Sequence, residues 1–406
     1  MANIVDYMEW RGDVSLDHAP LNEVDVLVFC QLSYLPMEGI VPSGTGEGDA
    51  ITIGDASRRM LLDPGSFHDE YDVEFCRALV DTPRFTGLQL CGFRSELDPD
   101  REEQFCAVTV RLPDDEVLVA FRGTDGTLIG WKEDFNMSFR PTVPSQESAR
   151  RYHQEVGEAE PGARIVAAGH SKGGNLAVYA SVFAPVPIQE RIRAVYTNDG
   201  PGFHEDVFSH DGFARIEGRI NAYVPQTSLV GMMMGHEVDY TVVHSTETGL
   251  RQHDPMSWEV KGPHFVTLDR VTRSSQFVDR SLKDWVERLD PAQQEQFVDV
   301  VYGVVAATGV ERTREFTDDW YRNASAVLAA YHDVDKETRE VVRRTLGALV
   351  GAARENLKVF APTPPAPKPF RMPGNRQRPR PAIPHSRGTL GTRTRTHTGM
   401  RARKEA

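Results

Sequence analysis

Within Val166-Ala167-Ala168-Gly169-His170-Ser171-Lys172-Gly173-Gly174-Asn175-Leu176-Ala177, a serine stands between two glycines where one structural period gives way to another. Ala163 to Ala168 is a short apolar run of strand length, and Gly174 to Phe183 is apolar and compatible with a helix. A strand that turns into a helix within about two residues forces the residue at the apex into a strained backbone conformation, tolerated only where its neighbours carry no side chains. Gly169 and Gly173 meet that demand. The turn lifts the Ser171 hydroxyl clear of the sheet, at a helix N-terminus whose unpaired N–H groups can stabilise a developing oxyanion. G-x-S-x-G also arises by chance and as plain turn material; the strand before it and the helix after it favour a nucleophile elbow.

A serine hydroxyl needs a base to take its proton and a third group to orient that base. In elbow-bearing folds the chain order is serine, acid, histidine. After Ser171 come His204, His210, His236, His244, His253 and His264. His253 is the candidate base, because Gly249 to Trp258 reads as a loop after the last strand, with Asp254-Pro255 fixing a turn. His244, on that strand, is the alternative. The candidate acid is Asp199 in Tyr196-Thr197-Asn198-Asp199-Gly200-Pro201-Gly202-Phe203, just after the strand that follows the elbow helix. That segment could equally be a simple turn, and Asp239 stands behind it. The oxyanion donors are expected from Thr124, in Phe121-Arg122-Gly123-Thr124-Asp125 at the end of an earlier strand, and from the backbone N–H of Lys172, whose side chain is not needed for that role. Arg122 could instead be a structural ion-pair residue, and Trp131 and Asp134 are expected to brace the loop. Met232-Met233-Met234 reads either as a flexible apolar wall for an acyl chain or as core filling.

These residues resemble the class 3 (fungal-type) lipases: Phe121-Arg122-Gly123-Thr124, then Trp131 and Asp134, then Gly169 to Gly174 follow that pattern in order and spacing. The segments Asn198 to Phe203 and Gln252-His253-Asp254-Pro255 are still more similar to the bacterial Mbeg1-like family. The resemblance covers roughly residues 20 to 265 and implies an α/β-hydrolase with esterase or lipase activity. One departure stands out. The lipases carry their acid after the next strand, in Asp-x-Val-Pro, where this chain has Ser228-Leu229-Val230-Gly231. Either the acid has moved to Asp199 or the triad is a weakened dyad.

The elements that must hold these residues follow the same order. Leu21 to Pro36 reads as a helix headed by Asn22 and Asp25, with a strand left open by its valines, and Gly39 to Asp55 as loop. Asp69 to Val80 is a short helix ended at Thr82-Pro83. Gly87 to Leu97, Gln104 to Arg111 and Glu116 to Phe121 are strands, the last two forming a hairpin through Leu112-Pro-Asp-Asp. Then come a helix from about Ser145 to Glu158, the elbow, and strands at Arg193 to Thr197, Arg219 to Val224 and Tyr240 to His244. The fold class is therefore α/β, with a mixed, mostly parallel sheet. Four helical stretches follow, Ser274 to Leu289, Pro291 to Ala307, Phe316 to His332 and Lys336 to Phe360. The division is an N-terminal segment 1–20, a hydrolase domain 21–270, a helical region 271–360 and a tail 361–406.

Composition bounds the rest. With 40% hydrophobic and 26% charged residues, the chain of 406 is an ordinary globular one. The N-terminus lacks an apolar h-region and no run reaches membrane-span length, so a soluble, cytoplasmic protein is expected. The four cysteines lack metal-ligand spacing and read as buried thiols; no metal or cofactor is expected. The net charge of −13 hides an asymmetry: residues 361–406 hold eleven Lys/Arg against one acid, or +10, leaving −23 for the body. This Pro/Arg-rich tail reads as disordered. It is suited to anionic surfaces, while its lack of interleaved aromatics argues against nucleic acid. Two functions follow: a metal-free serine hydrolase of small-molecule or lipid esters, or a hydrolase-fold binding module with a vestigial site.

Overall fold

The computed structural model describes residues 1–306, apart from Glu47 and His236, and scattered positions between 340 and 356. A nine-stranded sheet is built from β1 (Ile51–Thr52), β2 (Gln89–Asp98), β3 (Glu103–Leu112), β4 (Glu116–Phe121), β5 (Arg164–His170), β6 (Ile192–Asn198), β7 (Ile220–Pro225), β8 (Tyr240–Val243) and, after the small hairpin β9 (Val260–Lys261) and β10 (His264–Phe265), β11 (Thr267–Leu268). Their order is β1-β2-β3-β4-β5-β6-β7-β8-β11. β4 to β8 are parallel neighbours, while β1, β3 and β11 run against them. The result is a mixed, mostly parallel α/β-hydrolase sheet.

The central strands read as continuous apolar runs because both faces are buried. Leu118, Ala120, Val166, Ala168, Ala194 and Tyr196 point to one layer, and Val117, Val119, Phe121, Ile165, Ala167 and Val195 to the other. The first layer is closed by helices Ile4–Arg11, Glu23–Leu32, Ile53–Met60 and Glu70–Asp81, the second by Pro144–Ala159 and the elbow helix Lys172–Val182.

Asn22 caps the second helix by accepting from Val24 and Asp25, so the helical reading of 21–36 holds. The stretch 39–55, expected as loop, contains β1 and the first turn of Ile53–Met60. The first twenty residues, expected to precede the domain, send Ile4, Tyr7 and Met8 into its core. Tyr7 donates to Asp25 at 2.8 Å, and Asp25 forms a fully buried ion pair with Arg84 at 2.5 Å. All four cysteines are buried free thiols.

Among the described residues, the helices Arg273–Glu287 and Pro291–Ala306 follow the sheet, and the scattered positions between 340 and 356 are helical. Phe316 to His332, much of Lys336 to Phe360 and the whole basic tail lie outside the described residues. Among the described residues, no helix is long and apolar enough to cross a membrane.

Candidate active site

In a parallel sheet, the carboxyl ends of the strands open onto one edge, where loops can converge. Here that edge receives Arg122 to Thr124 from β4, Ser171 from β5, Asp199 from β6, Thr227 and Ser228 from β7, and the loop with His253 after β8.

Ser171 has φ 58° and ψ −134°, a region that L residues enter only under constraint. The constraint is visible around it. The Ser171 N–H donates to Asn198 O at 2.9 Å, and the Gly174 N–H donates to Ser171 O at 2.9 Å. A Cβ on Gly169 would stand 2.0 Å from the Gly173 carbonyl carbon, and one on Gly173 would stand 2.1 Å from Phe121 O. Strand, turn and the loop after β4 thus meet backbone against backbone, which only glycine permits. A Cβ on Gly123 would come within 3.0 Å of Ser171 Cβ, so the Phe121 to Thr124 segment lies directly beside the serine.

Asp199 is nearly inaccessible and takes the left-handed conformation, φ 51°, which aspartate tolerates better than most residues. Its Oδ2 lies 2.6 Å from His253 Nδ1. Its Oδ1 accepts the Gly231 N–H at 3.1 Å and the Ser228 hydroxyl. The position where the lipase pattern has its acid is therefore a donor to the acid one strand away. Because Asp199 accepts from Nδ1, the proton of neutral His253 sits on Nδ1 and Nε2 keeps its lone pair. Asp239 is exposed on the approach to β8, and His244 pairs with Glu259 at 2.6 Å instead. Neither joins the cluster.

The His253 loop is held at three points. Gln252 accepts the Thr227 N–H through its side chain at 2.8 Å, and its carbonyl accepts the indole N–H of the fully buried Trp258 at 2.9 Å. His253 O accepts from His170 Nε2 at 2.7 Å. His170 stacks on His253 with ring centroids 4.5 Å apart, and burial keeps its own pKa well below the usual histidine value. A neutral ring with its proton on Nε2 presents Nδ1 as an acceptor, and the Tyr34 hydroxyl lies 3.2 Å from it. Tyr34 in turn accepts the Gly123 N–H at 3.0 Å. The His253 loop, the Ser171 turn and the loop after β4 are thereby linked through one tyrosine and one histidine, neither of which the sequence pattern singled out for a role.

Thr124 donates its hydroxyl to Asp134 at 2.6 Å. Burial raises Asp134 to a pKa of about 6 against the pull of Lys172, Thr124 and His253. Asp134 thus braces the loop as expected, whereas Trp131 is half exposed and lies beside Phe135, with ring centroids 6.3 Å apart and the planes tilted by 56°. Arg122 is buried beside Asp125, at 3.2 Å. The Lys172 side chain, which the backbone donor role does not require, is inaccessible and pairs with buried Glu133 at 2.8 Å. Met232 packs with Val224, Val242 and Val271, and Met233 and Met234 are half-buried, so the methionine run divides between core and surface.

Among solved structures, a Rhizomucor miehei lipase–propeptide complex is 16% identical, with a TM-score of 0.32 over 54% of this chain and 67% of that one. Lipase II from Rhizopus niveus is 16% identical, with a TM-score of 0.34 over 54% and 80%. A lipase from Rhizopus microsporus var. chinensis is 15% identical, with a TM-score of 0.34 over 57% and 75%. No curated protein matches the chain. The family model described as Mbeg1-like matches residues 79–303, more than half of the sequence and the whole stretch from β2 to the His253 loop. The chain belongs to the Mbeg1-like family.

Proposed function

We propose that the protein is a serine hydrolase that cleaves carboxylic esters through an acyl-serine intermediate. The observation that carries this reading is the 2.6 Å contact between the buried Asp199 carboxylate and His253 Nδ1, on the same edge as a serine in the strained elbow conformation. Ser171 Oγ attacks the ester carbonyl carbon while its proton passes to His253 Nε2. Asp199 holds the imidazolium that forms. The tetrahedral oxyanion accepts from the backbone N–H groups of Thr124 and Lys172. As the intermediate collapses, His253 returns the proton to the departing alkoxide, and an alcohol leaves. Water then attacks the acyl-serine by the same relay, releasing the carboxylic acid and restoring Ser171.

The resemblance of Phe121 to Thr124, Trp131, Asp134 and Gly169 to Gly174 to the lipase pattern supports ester substrates, small or lipid. The vestigial-site alternative drew its support from the missing carboxylate at Ser228. That support weakens when Asp199 meets His253 and Ser228 donates to Asp199.

A fluorophosphonate probe tests this reading without a known substrate. Wild type should be labelled, and Ser171→Ala and His253→Ala should not. Equal silence in all three, or labelling that survives Ser171→Ala, would refute it.

A further inference from the structure

Any residue after the serine could supply the backbone N–H, and burial would favour one without charge. This chain spends a lysine there. Its Nζ donates to Gln104 O at 2.8 Å, Gln104 Oε1 at 2.9 Å and Glu133 Oε2 at 2.8 Å, at 1% side-chain exposure. Glu133 is fully buried, and its oxygens also accept the Ser145 N–H at 2.8 Å and the Gln104 N–H at 3.0 Å. Taking two charges out of water costs more than a surface pair can return, so the arrangement persists only with full hydrogen bonding, which it has.

The partners identify what the pair holds. Glu133 lies on helix Leu128–Asn136, next to Asp134, which accepts the Thr124 hydroxyl. Adjacent carboxylates on one helix therefore grip the two residues to which the proposed reaction assigns the oxyanion: Glu133 takes Lys172, and Asp134 takes Thr124. Gln104, on β3, ties the same ammonium to the sheet beneath the loop. An oxyanion hole works only if its donors keep their separation to a fraction of an ångström, and this bracket spans the two.

We infer that the Lys172 side chain, through Glu133 and Gln104, is a positioning element that fixes the spacing of the Thr124 and Lys172 donors; this rests on the serine-hydrolase reading. The experiment uses purified full-length protein, p-nitrophenyl butyrate as substrate and a trifluoromethyl ketone as a mimic of the tetrahedral oxyanion. Lys172→Met should lower kcat by about 10- to 100-fold, with KM changed less than about twofold and the shape of the pH profile retained. Ketone affinity should fall by the same factor as kcat. Because Glu133 left alone in the interior threatens folding, Lys172→Met/Glu133→Gln removes both charges. Gln104→Leu keeps the ion pair and removes one acceptor, and should show the same pattern at about threefold. Folded variants with wild-type kcat and ketone affinity would overturn the bracket while leaving the hydrolase reading intact. A wild type that neither turns over nor is labelled at Ser171 overturns both.

Discussion

The proposed role of Asp199 as the acid can be tested by moving the carboxylate to position 228. Asp199 is inaccessible, its Oδ2 is 2.6 Å from His253 Nδ1, and its Oδ1 accepts from Ser228. When His253 takes the serine proton, its imidazolium charge lies roughly 4 Å from the carboxylate charge. At an effective dielectric of about 20, that attraction is about 4 kcal/mol. At about 1.4 kcal/mol per decade of rate, losing it costs about a thousandfold in kcat. Asp199→Gly removes the carboxylate in a residue type that suits the left-handed backbone at φ 51°. It should show that loss with its fold retained. Adding Ser228→Asp places a carboxylate on a side chain that already reaches Asp199 Oδ1, in the space the glycine leaves. The double variant should recover at least about tenfold of the lost rate, measured as p-nitrophenyl butyrate turnover. Ser228→Ala alone removes one donor to a carboxylate that keeps Gly231 and His253, and should cost less than about tenfold. Near wild-type turnover by Asp199→Gly would refute the assignment of the acid. A double variant no faster than Asp199→Gly would refute the claim that the two strand ends converge on one histidine.

Two further consequences concern stability. His153 is fully buried on helix Pro144–Ala159 with neither ring nitrogen bonded among the described residues, and burial, with help from Arg191, pushes its pKa down to about 4. The unfolded chain takes up this proton near the ordinary value of 6.5 and the folded protein only near 4. The contribution is therefore intact above pH 6.5 and declines by about 3 kcal/mol as pH falls to about 4. Urea unfolding of wild type and His153→Leu at pH 7 and pH 4.5 should show a shallower acid loss in the variant, and parallel losses would contradict the assignment. Gly173→Ala puts a Cβ 2.1 Å from Phe121 O, a backbone atom that cannot swing away. It should lower stability by about 3 kcal/mol and abolish probe labelling. A stable, fully labelled variant would show that the elbow tolerates a side chain there.

What the sequence made legible, and what it did not, divides along a physical line. The strand-turn-helix at Ser171 was readable because close backbone contact restricts residues 169 and 173 to glycine, two positions either side of the serine. The parallel strands were readable because burial on both faces leaves unbroken runs such as Ile165 to Ala168. β1 escaped because two residues carry no period; its existence depends on pairing with Gln89 and Leu90. Ser228 presented the harder case. Its side chain alone said that the acid was missing, and only the approach of β6 and β7 at the sheet edge turns it into a donor to Asp199. Tyr34, His170 and the Lys172–Glu133 pair escaped for the same reason: Tyr34 and His170 are 136 positions apart, and Lys172 and Glu133 are 39. Local backbone demands are written in neighbouring residues, whereas a buried side chain that bridges elements has a meaning set by whatever it meets. That is why the lysine inside the most recognisable motif of this chain was read for its backbone alone. Its position advertised a backbone N–H, and its charge required a partner that only the folded sheet supplies.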